Sequence, residues 1–194
     1  MPDTNVTIAS SEELDDVIGT LTLAFSADPI MRWILGEPAT YLQFFPQMIR
    51  PLVELACKNG SAYWSGSAGA SIWLGPGVEM DGEQMVHVIQ AAVPAADQEA
   101  RFQFLGQMGD FHPKEPHWYL PIIGADPACQ GQGHGSALLK RALEPCDVAA
   151  LPAYLESSSA ANIPLYERYG FEVSGEIQVQ DSPKMWPMYR QPRG

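Results

Sequence analysis

Residues 130–139 read QGQGHGSALL, and Gly131, Gly133 and Gly135 alternate where an apolar helical pattern begins. Glycine inside a helix costs about 1 kcal/mol relative to alanine, so a cluster at a helix start implies something that must approach the backbone closely. Gln130-x-x-Gly133-x-Gly135 would aim successive backbone N–H groups at a pyrophosphate, using the unsatisfied donors and the positive end of the helix. Gln130, Gly131, Gln132, Gly133, His134, Gly135 and Ser136 are therefore candidate phosphate contacts. Two other phosphate motifs fit less well. The dinucleotide fingerprint needs G-x-G-x-x-G, and Ser136 stands at its third glycine. Glu156 mimics the ribose-binding acid of that motif, but too little chain follows Gly135 to complete a doubly wound domain. No G-x-x-x-x-G-K-[ST] spacing occurs. A tight strand-to-helix turn without any ligand is the remaining alternative.

The elements that must position this motif can be read from periodicity and punctuation, with 17 prolines and 17 glycines dividing the chain. NVTIAS reads as a first strand. Ser10 and Glu13 form a capping box, and Leu14, Val17, Ile18, Leu21 and Phe25 continue at helical spacing to about Ser26, where ADP at residues 27–29 ends the helix. Residues 38–57 have helical composition but carry Pro46 and Pro51, which predicts a kinked or split helix stopped by Gly60. SAYWS and ASIWLG flank GSAG as a hairpin. Two helices, DGEQMVHVIQAAV and DQEARFQFLGQMG, precede a loop, DFHPKEP, and the strand HWYLPIIGA. The motif helix should run from about Gln130 to Leu143, with Pro145 forcing a stop. LPAYLES as a strand, NIPLYERY as a short helix, and GFEVSGEIQV with KMWPMYRQ as closing strands complete a mixed sheet with helices on its faces, in α/β or α+β style.

Composition narrows the partners. The chain of 194 residues fits one domain, and 46% hydrophobic content is enough for a substantial core. Eleven basic against 23 acidic residues give a net charge of −12, which repels nucleic acid and mildly favours a cationic small substrate such as an amine. The amino terminus has no basic start followed by an apolar run, and no stretch approaches bilayer-spanning length, so a cytoplasmic protein with no membrane partner is expected. Cys57, Cys129 and Cys146 are irregularly spaced and read as reduced, and His87, His112, His117 and His134 show no metal-ligand spacing. No metal is expected.

Gln-x-x-Gly-x-Gly after a strand ending in ADP resembles the coenzyme A pyrophosphate motif of the GNAT acetyltransferase superfamily. NIPLYERYGF is similar to a second signature of that superfamily, an asparagine followed by a helix with an aromatic-tyrosine pair and a closing Gly-Phe. The order of motifs from His112 to Pro192 resembles, more narrowly, the puromycin N-acetyltransferase group, whereas the first half carries only AFSADP and ASIWLGPG as suggestive matches. The resemblance implies a single N-acetyltransferase domain over residues 1–194, with a central sheet of about seven strands splayed at a bulge. Its first half would form mainly the acceptor side, and residues 112–192 the acetyl-CoA-binding and catalytic half. It also implies acetyl-CoA as co-substrate, a small-molecule amine as partner, and compatibility with a homodimer.

Residue roles follow from the same resemblance. The strand WYLPIIGAD would lend Ile123, Gly124 and Ala125 to the pantetheine arm, and Pro121, which cannot donate to a ladder, suits a strand whose pairing is broken nearby. Tyr166 matches the tyrosine that protonates the departing thiolate, and Asn162 the asparagine that bonds the arm; an ordinary packing residue and a helix N-cap are the respective alternatives. Tyr169 and Phe171 read as core. Lys140 and Arg141 could meet the adenosine phosphate or be solvated. An alkyl amine is mostly protonated at neutral pH, so a base is needed, and Glu156, Glu115, His117 and Asp28 are the candidates. Asp28, Trp33, Trp73 and Glu115, with Phe25, would line the acceptor side, although aromatic residues in such elements also serve as core. The expected activity is acetyl-CoA-dependent N-acetylation of a small amine, such as an antibiotic or nucleoside-like compound. A non-catalytic acyl-CoA sensor and a protein amino-terminal or lysine acetyltransferase are the competing readings.

Overall fold

The computed structural model describes residues 5–78 and 82–193. Asp81, the first residue of one predicted helix, and the first four residues of the amino-terminal segment lie outside them. The strands β1 (Thr7–Ile8), β2 (Ala62–Trp64), β3 (Gly69–Leu74), β4 (Trp118–Ala125), β5 (Ala153–Ser157), β6 (Glu172–Val173) and β7 (Trp186–Arg190) form one sheet in the order β1-β2-β3-β4-β5-β7-β6. Every neighbouring pair is antiparallel except β4 and β5. Seven helices flank it: α1 (Leu14–Ala24), α2 (Pro29–Leu35), α3 (Pro38–Asn59), α4 (Glu83–Ala92), α5 (Ala95–Phe111), α6 (His134–Val148) and α7 (Ile163–Arg168). The expected seven-stranded mixed α/β architecture is therefore present.

Side-chain alternation along β3 shows how the layers are built. Ala70, Ile72 and Leu74 join a core shared with α1 to α5, while Trp73 joins a second core with α6, α7 and Phe171. Successive strand residues point to opposite faces, so the two cores lie on opposite sides of the sheet.

Four elements depart from the expected reading. The segment 38–59 is one helix through both prolines. The carbonyls that Pro46 and Pro51 deprive of a partner belong to Leu42 and Gln47, both exposed residues on the solvent side of the helix, where solvent can satisfy them. The buried stripe from Tyr41 to Ala56 then holds the helix together, and Gly60 ends it in the left-handed conformation as expected. α6 likewise passes Pro145 and ends at Val148. Its last turn is anchored by buried Cys146 and by Asp147, whose carboxylate accepts both Arg190 guanidinium nitrogens at 2.7 and 2.8 Å. ADP does end α1, but Asp28 and Pro29 also start α2: the Asp28 carboxylate accepts the Met31 N–H at 2.9 Å and Pro29 occupies the first turn. Finally, the expected strand GFEVSGEIQV pairs only at Glu172–Val173, with one further bridge from Ile177 to Met185. The Phe111 ring packs over Gly175 so closely that an added Cβ would lie 2.3 Å from it, and this contact separates the two pairings.

Candidate active site

β4 and β5 are paired over only three positions, Trp118 with Ala153, Tyr119 with Tyr154, and Leu120 with Leu155. Beyond them the strands diverge. Between the pairs Ile72–Ile122 and Leu74–Tyr119, β4 advances one residue more than β3, which is a bulge at Leu120–Pro121. From Pro121 onward β4 keeps its ladder with β3 through Ala125 and presents its other edge to the gap. Pro121, lacking an N–H, is tolerated there. The gap opens into a cleft of about 1460 Å³ running from the start of α6 to the space between α2, α3, α4 and α5.

The glycine motif forms one end of this cleft. Gly133 is the N-cap of α6 with φ 94°, Gly131 has φ 74°, and no side chain caps the helix. No atom beyond the chain neighbours lies within 4 Å of where a Cβ would stand on either glycine, so the backbone there is open to approach, and the first-turn N–H groups carry no side-chain cap. Gly124 has a different reason to be glycine. A Cβ there would lie 2.5 Å from the Ala24 Cβ and 3.1 Å from the Phe25 ring, so this position lets the end of α1 pack on β4.

The other motif residues divide. Ile123, Gly124, Ala125, Gln130, Gly131, Gly133, His134, Gly135 and Ser136 line the cleft. The His134 imidazole, however, is 5% exposed and Nδ1 lies 2.9 Å from Ser65 Oγ on the hairpin, so only its backbone is available. Gln132 turns away and donates to the Ala128 carbonyl at 3.1 Å. The Ser136 carbonyl accepts the Tyr169 hydroxyl at 2.8 Å, tying α6 to the end of α7.

Tyr166, 6% exposed, and Asn162 come into the cleft from α7 and the turn before it. Asn162 stands at the N-cap position, yet its side chain caps no backbone N–H, so that alternative is not realised. Burial, with the Asp28 carboxylate nearby, pushes the Tyr166 phenol well above its ordinary pKa. Glu156 is set deep in the wall at the point where β5 leaves β4. Burial raises its carboxyl to about 7, against the opposing effect of the Tyr119 hydroxyl, which donates to Oε2 at 2.9 Å. The buried Tyr154 hydroxyl also faces the Glu156 carboxylate and lowers its pKa, though outside regular hydrogen-bond geometry, and the Tyr119 phenol is raised chiefly by its own burial.

Sequence spacing did not reveal what the DFHPKEP loop brings together. His112 and His117 approach Nε2 to Nε2 at 3.0 Å, and the His112 ring stands edge-on to Tyr119 at 4.8 Å and to Tyr154 at 5.1 Å. His117 Nδ1 lies 2.8 Å from the Glu115 carbonyl, so it carries the proton and donates. Glu115 also lines the cleft and accepts the Tyr189 hydroxyl at 3.2 Å.

On the acceptor side, Asp28 and Phe25 line the cleft, and the Ser158 hydroxyl makes a short hydrogen bond to Asp28 Oδ2. Burial raises the Asp28 carboxyl above its usual range. Two expected lining residues are absent from it. Trp73 is 0% exposed on the opposite face of β3, within the α6 core. Trp33 is stacked under the Arg101 guanidinium, 4.1 Å from its ring centroid, and faces a separate shallow hollow. Arg141 pairs with Glu144 at 2.9 Å and, like Lys140, is outside the cleft lining, where the cations are instead Lys114 and Arg168. Among the described residues, no group of three or more His, Cys, Asp or Glu could hold a metal, and no helix is long and apolar enough to cross a membrane.

The arrangement is thus an uncapped helix start able to hold an anionic phosphate, a free strand edge able to pair with an extended amide-bearing arm, and, lining the same cleft, a carboxyl raised to about 7 and a buried phenol. Comparison with known proteins gives this geometry a context. Residues 105–191 match the sequence model of the family described as the acetyltransferase (GNAT) domain. Over 184 residues the chain is 28% identical to the uncharacterized N-acetyltransferase C550.08 of Schizosaccharomyces pombe, covering 86% of this chain and 74% of that protein. A crystal structure from Corynebacterium glutamicum, of histone acetyltransferase HPA2 and related acetyltransferase, is 25% identical with a TM-score of 0.66, covering 98% of this chain and 97% of the other. Arylalkylamine N-acetyltransferase 2 from Aedes aegypti, 15% identical, shares the fold at a TM-score of 0.66 over 97% of this chain and 99% of the other.

Proposed function

We propose that this chain, whose residues 105–191 match the acetyltransferase (GNAT) domain, is an acetyl-CoA-dependent N-acetyltransferase that acts on the amine of a small molecule. The observation that carries the reading is the meeting of three features on one cleft: the uncapped start of α6, the free edge of β4, and the Glu156–Tyr166 pair. Residues 1–194 act as one unit in this reading, because α1 to α5 supply the acceptor wall and β4 to β7 with α6 and α7 supply the donor wall.

Acetyl-CoA would bring the thioester, with its pyrophosphate at the N–H groups of residues 131–136 and its arm along the edge of Ile123, Gly124 and Ala125. Asn162 would bond that arm. Glu156, partly protonated near pH 7, takes the proton of the incoming ammonium, either directly or through a water, and so frees the nitrogen lone pair. The nitrogen adds to the thioester carbon to give a tetrahedral oxyanion, whose collapse breaks the C–S bond; the second nitrogen proton passes through solvent to the departing thiolate, leaving the amide and free thiol. A β4 backbone N–H is the donor placed to stabilise the oxyanion, a contribution of about 3 kcal/mol where one such donor has been removed elsewhere. Tyr166 donates to the departing sulfur. Because burial raises its pKa, it remains protonated and acts chiefly as a hydrogen-bond donor, whereas full proton transfer to a thiol of pKa near 8.5 is uphill.

The test is mass spectrometry of a panel of primary amines incubated with the protein and acetyl-CoA. Puromycin belongs in the panel because of the narrower motif resemblance. An acetylated amine formed only with active protein supports the reading. Tight acetyl-CoA binding with no acetylated product, from amines or from peptides, would replace it with an acyl-CoA sensor.

A further inference from the structure

The acceptor half of the cleft has a composition that the transfer chemistry does not require. Five of the chain's eight methionines line it, and they come from five separate places: Met31 on α2, Met48 on α3, Met85 on α4, Met108 on α5, and Met185 before β7. Met31, Met85 and Met108 are only partly buried, so their thioethers remain in contact with the cavity and are not sealed inside the core. Methionine is flexible and polarizable, and it lines surfaces that adapt to apolar ligands of varied shape. Of the three carboxylates that line the cleft among the described residues, Glu115 is exposed and accepts the Tyr189 hydroxyl, and Asp28 and Glu156 are the two that are partly buried. Asp28 is fixed there by the Met31 N–H and the Ser158 hydroxyl.

We infer that the acceptor is a primary amine carried on a bulky, uncharged apolar body, with its nitrogen at Glu156 and Asp28 and its body among the methionines. The inference rests on the transferase reading and adds the substrate class to it. The cleft volume of about 1460 Å³ exceeds the roughly 300–1,000 Å³ that holds one drug-sized ligand, which leaves room for such a body beside the donor arm. The chamber has one rival occupant, a long acyl chain on the donor. That occupant supplies no charge to the two partly buried carboxylates, whereas an ammonium does. The same argument disfavours a diamine, whose second ammonium would be left among thioethers and aliphatic side chains.

The experiment measures thiol release from acetyl-CoA with linear alkylamines and arylalkylamines of increasing length, with diamines of matched length, and from acyl-CoA donors of increasing chain length with one fixed amine. For monoamines, kcat/KM should rise about fourfold per added methylene until the chamber is filled. Matched diamines should fall at least about tenfold below them. The double variant Met85→Gln, Met108→Gln should raise KM for the longer monoamines about tenfold while leaving KM for acetyl-CoA unchanged. Release that ignores amine length, a preference for diamines, or a preference for long acyl donors over acetyl would overturn this assignment alone. The absence of release with every amine would overturn the transferase reading together with it.

Discussion

Tyr166 and Glu156 face one cleft, and their separate environments predict separate kinetic signatures. Tyr166→Phe removes one hydrogen-bond donor at the sulfur and should lower kcat about 10²-fold with little change in the KM for acetyl-CoA. An unchanged kcat would remove Tyr166 from the chemistry. Glu156 must be ionised to accept a proton, so kcat/KM for the amine should rise with pH through about 7 and level off above it. Glu156→Gln should lower turnover by about 10²-fold or more and flatten that limb. Its stability effect has the opposite sign. A carboxyl whose folded pKa lies above its unfolded value disfavours folding once both states are ionised, so native stability falls as pH rises from about 4.5 to about 7. Glu156→Gln should therefore raise Tm at pH 8, by an amount corresponding to about 3 kcal/mol, and leave it unchanged near pH 4. A lower Tm at pH 8 would mean that the carboxylate is satisfied by bonds the glutamine cannot make.

At the same scale, what the sequence disclosed depended on whether a residue acts through its backbone or its side chain. That the glycines stand at the cleft was legible because their spacing from a helix start is itself the signal, while Asn162 was singled out by the NIPLYERYGF resemblance. The places of Trp33 and Trp73 were not legible. A tryptophan on a fully buried strand gives no periodicity from which to choose a face, and Trp33 is turned aside by an arginine sixty-eight positions away. The His112–His117 contact was hidden because a proline-bearing loop, not a helical period, brings the two rings together.

The element scale separates two kinds of glycine. Gly133 holds φ 94° with open space above it, so Gly133→Val should weaken acetyl-CoA binding by about tenfold or more, through blocked N–H groups as well as backbone strain. Gly124→Ala instead meets Ala24 and should cost about 1–3 kcal/mol of stability by overpacking. Calorimetric titration and thermal melts of both variants check the contrast. Equal loss of donor affinity in the two would show that the motif responds only to global destabilisation. Element order and type were largely readable from periodicity and turn residues, whereas the bulge in the strand at Pro121 was expected only from the family resemblance, and Ser10 does not cap α1, which starts at Leu14. Boundaries at prolines were not readable, because the cost of a proline depends on whether the orphaned carbonyl meets water and on what holds the turn beyond it. Leu42 and Gln47 are exposed to solvent, and beyond Pro145 the Asp147–Arg190 ion pair holds the turn.

Across the whole molecule, the proposed acceptor chamber draws on the helices α1 to α5 and the proposed donor site on the sheet's second half, joined where β4 and β5 part. That division explains why the motif-rich second half was more legible than the first. Phosphate binding needs a fixed local backbone, whereas a chamber built from separated methionines leaves no short motif. The net charge of −12 adds a long-range effect, since it attracts a cationic amine and is screened by salt. Raising ionic strength from about 0.02 to 0.5 M should lower kcat/KM for the amine severalfold while leaving kcat unchanged. A rise in kcat/KM with salt would place the amine's approach on a neutral or basic surface.

The central claim is that one cleft binds acetyl-CoA and passes its acetyl group to an amine. Its most direct measurement is the rate of thiol release from acetyl-CoA by the purified chain, with and without an apolar primary amine. The account predicts release that depends on the amine, saturates in both substrates, and falls about 10²-fold in Tyr166→Phe. Release at the same rate without any amine, or from the wild-type chain and Tyr166→Phe alike, would contradict it.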